Sequence, residues 1–584
     1  MRTWRWVSVL AVLVLVLAAC GQQPAATPDE ESEAPAGSDE PAPSESAGAG
    51  GEPVAGGTLV FGGARLADSL DPVQTSDGES FRILQQIYEP LVDLKAGTVD
   101  ELEGVLAESW EGEPDSTEYV FHLREGVMFH DGTPFDAEAV KFNFDRWQNL
   151  PEELQANAYY YDAVLDGFGA DNLIESVEAT DELTVTITLR EPNPTFLYGI
   201  ALTAFSMASP AVLEAMNADD PTAGTFGTDV SLGGTGPFVL ESYTPEEEAT
   251  FVRNDDYWGD PALLDRLIIR PISDPAARLQ ALQGGSIQGY DLVSPTDYEA
   301  VTDGGFQLLE RLSFNTLYLG INPLARENAE AAGKDFYADT ESPLQELAVR
   351  QAVAHAIDRD ALIEAFYGGR GTPADTFMPD TSGWAEAVAG GVEVLEFDQD
   401  TARELLAEAG YGPENPPTVH FWYPTEVTRP YMPDPRGLHE AVTQMLEDVG
   451  FVVEPGSDIW DDPGYLGDAQ AGLYDLHFLG WTGDFDDPSN WYGVHFGYSQ
   501  GEPATQFGCD VDGLEEAIDD ASAELDSTTR GEKWAEVAGI IHGEACFMTM
   551  VHGDTALAFT EEVQGYEPNP TGSESFAKVW LSGE

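Results

Sequence analysis

Tyr119–Arg146 reads Y-V-F-H-L-R-E-G-V-M-F-H-D-G-T-P-F-D-A-E-A-V-K-F-N-F-D-R. Tyr119–Leu123 is a strand, Asp131-Gly132 is a turn between two aromatic-bearing segments, and Asp136 caps a helix whose apolar positions are Val140, Phe142, Phe144 and Trp147. Toward the N-terminus, Leu106–Trp110 leads into this strand, Phe81–Leu91 reads as a helix, and Thr58–Phe61 is the first strand, followed by the strand-to-loop transition Ala64–Pro72. Toward the C-terminus, Leu183–Leu189 alternates strictly and is a half-buried strand. Ile268–Gly284 is a strand, an S-D-P cap and a helix; Val349–Tyr367 is helical; Asp398–Gly410 is a capped helix with a glycine stop. Leu438–Gly450 is an amphipathic helix, Phe451–Glu454 opens a strand, and Tyr474–Phe478 is a short apolar run that reads as a buried strand. Strands alternating with helices over 584 residues make an α/β chain with room for two or more domains. No short-period repeat interrupts it.

The stretch Tyr119–Arg146 resembles the signature of the family 5 extracellular solute-binding proteins, the peptide- and nickel-binding proteins of ABC importers. The resemblance continues through Thr235–Leu240 (T-G-P-F-V-L), Arg253–Gly259 (R-N-D-D-Y-W-G) and Val349–Tyr367, and covers about Thr58 to the end. It implies a two-lobed periplasmic-binding-protein fold of the large type, with an extra subdomain in lobe one and a hinge between the lobes. Lobe one would take 58–311 and a returning tail, 553–584; lobe two would take 312–552. A ligand would be trapped as the lobes close.

Leu479–Asn490 reads L-G-W-T-G-D-F-D-D-P-S-N and is expected to be a loop leaving the end of a strand, the usual place for ligands in open sheets. A carboxylate beside an aromatic wall suits an ammonium group, through charge-assisted hydrogen bonds and a cation–π contribution. Read from composition alone, it is a solvated acidic turn. Within the family the chain looks most like the dipeptide-binding proteins, on W-T-G-D (Trp481–Asp484) and on Arg429-Pro430-Tyr431. That resemblance implies that Asp484 holds the free α-ammonium of a peptide, with Trp481, Thr482 and Gly483 forming the wall. It implies that Arg429 takes the C-terminal carboxylate, with Tyr431 beside it. A planar guanidinium fork matches both carboxylate oxygens. Two extended residues span about 7 Å, so a fixed Arg–Asp gap selects short peptides. Against this, Arg429 also reads as a structural salt bridge, Tyr431 as turn packing and Trp481 as core, while Asp486 and Asp487 read as turn caps and surface charge. Ala64–Pro72 is the candidate for a peptide contact from the first lobe.

Residues 1–20 read as an export signal: Arg2 and Arg5, the apolar run Val7–Leu17, then Leu17-Ala18-Ala19-Cys20-Gly21, which looks like the lipobox of bacterial lipoproteins with Cys20 as the lipidated residue. Residues 21–57, rich in Pro, Ala, Gly, Ser and Glu, read as a disordered acidic tether. The two other cysteines, Cys509 and Cys546, are expected to pair in an oxidising compartment; the alternative is two buried thiols.

Acidic residues number 106 against 25 basic ones, for a net charge of -81. That excludes nucleic acid as a partner and electrostatic docking on anionic lipid. Spread along the whole chain, the surplus identifies no basic ligand. The nine histidines lack metal-ligand spacing, and no G-x-S-x-G, P-loop or zinc motif is present. No cofactor is expected. The expected function is a lipid-anchored, monomeric, extracytoplasmic receptor that delivers a short peptide to ABC permease subunits with their ATPases, and is not an enzyme. The alternatives are a receptor for a nickel chelate, haem or another small solute on the same fold, and a secreted hydrolase that uses Asp484 and Asp487 as its carboxylates.

Overall fold

The computed structural model describes residues 52–169, 172–220, 233–338, 340–460, 464–499, 502–509, 511–572 and 574–583. The export signal, Cys20 and the tether as far as residue 51 lie outside them.

Two large sheets organise the chain. The seven-stranded sheet runs in the order Gln307–Arg311, Thr555–Phe559, Gly289–Tyr290, Thr58–Gly63, Arg266–Pro271, Glu248–Arg253, Phe238–Thr244. The six-stranded sheet runs Gly371–Pro373, Phe547–Gly553, Asn315–Ile321, Leu476–Thr482, Thr418–Thr425, Val452–Ile459. A four-stranded antiparallel sheet, Ala107–Glu111, Glu118–Leu123, Thr184–Leu189, Ile174–Asp181, forms the extra subdomain. Its Glu118–Leu123 strand buries Tyr119, Phe121 and Leu123, because alternate side chains share a face. Against this sheet packs helix Ala137–Gln148, capped by Asp136, whose side chain accepts from the Ala139 N–H at 2.9 Å.

The chain passes between the large sheets twice. It leaves Gln307–Arg311 and enters Asn315–Ile321; it leaves Phe547–Gly553 and enters Thr555–Phe559. The crossings are tied to each other: Asn315 Nδ2 donates to the Gly553 carbonyl at 2.8 Å and Ser313 Oγ to the same oxygen at 3.2 Å. Beside them lies a buried ionic cluster. Arg311 binds Asp291 (Nη1–Oδ1 2.6 Å) and both Glu574 oxygens (2.6 and 2.7 Å), while Arg82 pairs with Asp291 and, at 3.4 Å, with Glu79. Burial acts to raise the Asp291 carboxyl, but the Arg311 and Arg82 guanidiniums outweigh it and hold the group below the ordinary carboxylate range.

Several elements differ from the sequence reading. The helix expected over Phe81–Leu91 is Gly78–Leu84, because Asp77 already caps it, accepting from the Glu79 and Ser80 N–H groups. Val349–Tyr367 divides into Leu347–Ala356 and Arg359–Phe366, with Asp358 capping the second helix. The loop expected to begin at Leu479 begins after Thr482. The strand runs on because every residue from Leu476 to Thr482 has a ladder partner in Asn315–Ile321, ending with Thr482 opposite Asn315. Cys509 and Cys546 are joined by a disulfide.

Candidate functional site

The end of strand Leu476–Thr482 and the loop after it carry the W-T-G-D residues. Trp481 and Thr482 are half-buried ladder residues opposite Thr316 and Asn315. Gly483 donates to the Phe314 carbonyl at 2.9 Å, and a Cβ there would stand 2.5 Å from the Phe314 ring and 2.6 Å from Trp491, so only glycine lets the strand end pack this closely. The chain then turns and presents Asp484.

Asn490 orients that carboxylate. Its amide oxygen accepts from the Asp484 N–H at 2.9 Å and from Trp481 Nε1 at 3.3 Å; its Nδ2 donates to Asp484 Oδ2 at 2.9 Å. From the extra subdomain, Tyr160 in helix Tyr159–Leu165 donates its hydroxyl to Asp484 Oδ1 at 2.9 Å. Asp484 thus takes two neutral donors and, among the described residues, no cation. A carboxylate has about four acceptor positions, so about two are left for a ligand. Burial pushes its carboxyl up to about 6, against the hydrogen bonds from Asn490 and Tyr160.

The other two acids of the loop are not merely surface charge, although Asp487 does cap the turn that follows it as expected. Asp487 is buried and paired with Arg530 (2.7 and 3.0 Å), besides capping Pro488–Asn490. Asp486 accepts from the Gly383 N–H at 2.7 Å, and its own N–H donates to the Val99 carbonyl at 2.9 Å. Phe485 stacks on Tyr198, centroids 5.7 Å apart. Through Tyr160, Tyr198 and Val99 the loop therefore touches the N-terminal half of the chain at three points.

Arg429 and Tyr431 sit in a turn closed by Met432 N–H to the Arg429 carbonyl at 3.0 Å, with Pro430 at the position where its fixed φ suits the turn. Tyr431 is buried. Its ring lies against Gly480, where a Cβ would meet it at 2.3 Å, so the turn is seated directly on the strand that ends in Trp481. The Arg429 guanidinium lies over the Trp460 ring, 4.2 Å from its centroid. Its Nε is buried without a hydrogen-bond partner, and the guanidinium forms no ion pair among the described residues. The structural salt bridge that composition favoured is not found among the described residues. Burial acts to raise the carboxyl of Asp77, which caps helix Gly78–Leu84, but the Arg65 guanidinium foremost, with the Arg429 charge adding to it, holds the group below its ordinary range. The Asp77 and Asp484 charges both act on Tyr160.

The structure thus gathers Trp481, Thr482, Gly483 and Asp484 on one strand end, seats Arg429 and Tyr431 against the same strand, and adds four residues that the sequence reading missed: Tyr160, Asn490, Trp460 and Asp77. The aromatic run Tyr159-Tyr160-Tyr161 was the visible signal for the first. Asn490 ends the stretch Leu479–Asn490 but had no role beyond the turn; nothing in the sequence singled out Trp460 or Asp77. Among the described residues no group of three or more His, Cys, Asp or Glu side chains is placed to hold a metal ion.

The family model of the bacterial extracellular solute-binding proteins, family 5 (Middle), matches residues 101–502. The chain belongs to this family. Among curated relatives of this family 5 protein, the heme-binding protein A of Haemophilus influenzae is 29% identical over 588 residues, 98% of either chain. The dipeptide-binding protein of Escherichia coli is 29% identical over 536 residues, 89% of this chain and 94% of its own. Among solved structures, the periplasmic binding protein DppA from Helicobacter pylori in complex with the peptide STSA superposes with a TM-score of 0.75 at 25% identity, covering 90% of this chain and 98% of that one. The family 5 chain therefore has the two-lobed fold of a substrate-binding component of an ABC importer, with relatives named for dipeptides and for haem. No helix among the described residues is long and apolar enough to cross a membrane.

Proposed function

We propose that this protein captures short peptides with free termini, dipeptides above all, and hands them to the permease of an ABC importer. The observation that carries the reading is a pair of unspent charges. Asp484 has neutral donors only, and Arg429 is stacked on Trp460 with no carboxylate of its own. A buried or half-buried charge without a counter-ion is costly, and a zwitterion of the right length supplies both counter-ions at once. Asp484 takes the α-ammonium beside Trp481, Thr482 and Gly483; Arg429, with Tyr431, takes the carboxylate. Residues 58–311 and 553–584 act as one lobe and 312–552 as the other, hinged at the paired crossings. A ligand that touches both lobes shifts the population toward the closed form. The receptor works as a monomer outside the cytoplasm, tethered by residues 21–57 from a lipid on Cys20. It catalyses no reaction, and the ATPases are separate chains, since this sequence holds no P-loop.

The relative named for haem is similar over 98% of this chain, so the ligand class is tested directly. Thermal unfolding is followed with free Ala-Ala, with haem and with nickel plus histidine. A ligand present at 100 times its Kd stabilises the native state by about 2.7 kcal/mol. Ala-Ala is expected to raise the midpoint and the other two to leave it unchanged. A rise with haem or nickel–histidine and none with Ala-Ala overturns the peptide reading and leaves the family standing.

A further inference from the structure

Asp484, Phe485 and Asp486 are each held by a different residue of the N-terminal half, and two of those holds meet at one hairpin tip. Strands Val92–Leu94 and Leu102–Gly104 pair antiparallel. At the base, Leu91 and Val92 belong to the buried apolar core of the extra subdomain, with Tyr119 and Phe121. The tip, Lys95–Glu101, reads K-A-G-T-V-D-E. Its Lys95, Ala96, Gly97 and Asp100 are exposed, whereas Val99 is buried. Val99 is buried in a different core from the base, with Phe314, Leu317 and Trp491; all the other described buried members of that core lie between residues 314 and 551. The tip is braced internally: the Lys95 N–H donates to the Glu101 carbonyl at 2.7 Å, and the Lys95 carbonyl accepts from the Thr98 hydroxyl at 2.8 Å. The Val99 carbonyl accepts from the Asp486 N–H at 2.9 Å. Tyr198 ties the tip to the neighbouring residue, because its hydroxyl donates to the Asp100 carbonyl at 2.8 Å while its ring stacks on Phe485. Asp486 is fixed from its other side as well: its carboxylate accepts from Ser382 Oγ and the Gly383 N–H, and its carbonyl accepts from Trp384 Nε1 at 3.0 Å.

We propose that the hairpin tip is a strap that fastens the Asp484 loop across the cleft, with Val99 as its plug and Tyr198 as its brace. The inference rests on the proposed division into lobes and on Asp484 as a ligand group. Val99 and Tyr198 are positioning residues, since they act on Asp484 through Asp486 and Phe485. The physical reason is that the strap's contacts exist only while the lobes meet. Apart from the other lobe, Val99 is one apolar side chain on an exposed turn, and both its carbonyl and the Asp486 N–H return to water. Contacts made in one form and not in the other shift the population toward the first. Apparent affinity falls in proportion to the share of the binding-competent form. A weakened strap therefore lets the ligand go sooner, although no group that touches the ligand has changed.

The test combines amide hydrogen exchange with Ala-Ala titration on the full chain, for the wild type, Val99→Ser, Val99→Ile and Tyr198→Ala. Without ligand, exchange over residues 484–487 is expected to quicken about fivefold or more in Val99→Ser and Tyr198→Ala, while strand Asn315–Ile321 keeps its wild-type protection. Val99→Ile keeps the plug apolar and is expected to behave like the wild type. With Ala-Ala, Val99→Ser and Tyr198→Ala are expected to lose about tenfold in affinity, mainly through faster dissociation. Wild-type exchange over 484–487 in both variants overturns the strap, whatever the ligand. Faster exchange in strand Asn315–Ile321 as well also overturns it, because Val99 and Tyr198 then support the fold as a whole. Faster exchange over 484–487 with undiminished Ala-Ala affinity overturns the link to the ligand. Failure of the wild type to bind Ala-Ala overturns the peptide reading, and the ligand-free exchange then decides the strap by itself.

Discussion

Asp484→Asn is expected to weaken binding of a free dipeptide by about 100-fold or more at pH 7.5. The two acceptor positions left open by Tyr160 and Asn490 are those an ammonium would take, and a charge-assisted hydrogen bond in a water-poor site contributes about 1.5–3 kcal/mol. The asparagine keeps the shape and accepts from Tyr160, but it brings no charge, and its NH2 group points two donors at an ammonium that has only donors. The same carboxylate sets a pH dependence. With its carboxyl pushed up to about 6 by burial, Asp484 is ionised at pH 7.5 and mostly protonated at pH 5. A proton and the ligand's ammonium compete for the same oxygens, so affinity is full above the raised value and is lost as pH falls through it, by about tenfold per pH unit below 6. Titrations between pH 5 and 8 are expected to show this fall in the wild type and a flat profile in Asp484→Asn. An Asn variant that binds like the wild type, or that keeps the slope, removes Asp484 from the site.

Arg311→Met is expected to cost about 3–5 kcal/mol of stability, the usual consequence of removing one side of a buried ionic cluster. Arg311 binds Asp291 and Glu574 with hydrogen bonds of 2.6–2.7 Å at the end of the strand that leads into the first crossing. Without it, Asp291 keeps Arg82 and the Leu292 N–H, and Glu574 loses its bidentate partner. Methionine fills similar space, so the loss is one of charge and not of volume. Asp291 precedes the first crossing and Glu574 follows the second, so the cluster fastens together the segments on either side of the excursion through the six-stranded sheet. A urea midpoint within the error of the wild type would mean that the cluster is not structurally important.

The sequence was most legible where a residue's role is local. Asp136, Asp274 and Asp398 cap the helices that follow them because a side-chain acceptor three or fewer residues from an open N–H needs no distant partner. Thr184–Leu189 alternates in the sequence and alternates in burial. Other features depended on contacts far along the chain. The strand that continues through Trp481 and Thr482 does so because Asn315 and Thr316 lie opposite, more than 160 positions earlier in the sequence by subtraction of those residue numbers. Asp487 looked like surface charge and is buried because Arg530 reaches it from a later helix. Tyr160 meets Asp484 across 324 positions, and no spacing rule joins them. The identity of Asp484 and Arg429 as a candidate pair came from short motifs shared with a family. What the three-dimensional arrangement adds is that neither forms an ion pair among the described residues, in a chain where acids outnumber bases 106 to 25.

The most direct measurement is a calorimetric titration of residues 58–584 with Ala-Ala, with N-acetyl-Ala-Ala and with Ala-Ala amide, all at pH 7.5. Two unspent charges that measure a zwitterion predict micromolar or tighter binding of the free dipeptide and at least a tenfold loss, about 1.4 kcal/mol, when either terminus is blocked. Equal affinity for all three forms would contradict the account, since a site that ignores both termini does not use Asp484 and Arg429 as the ends of its ligand.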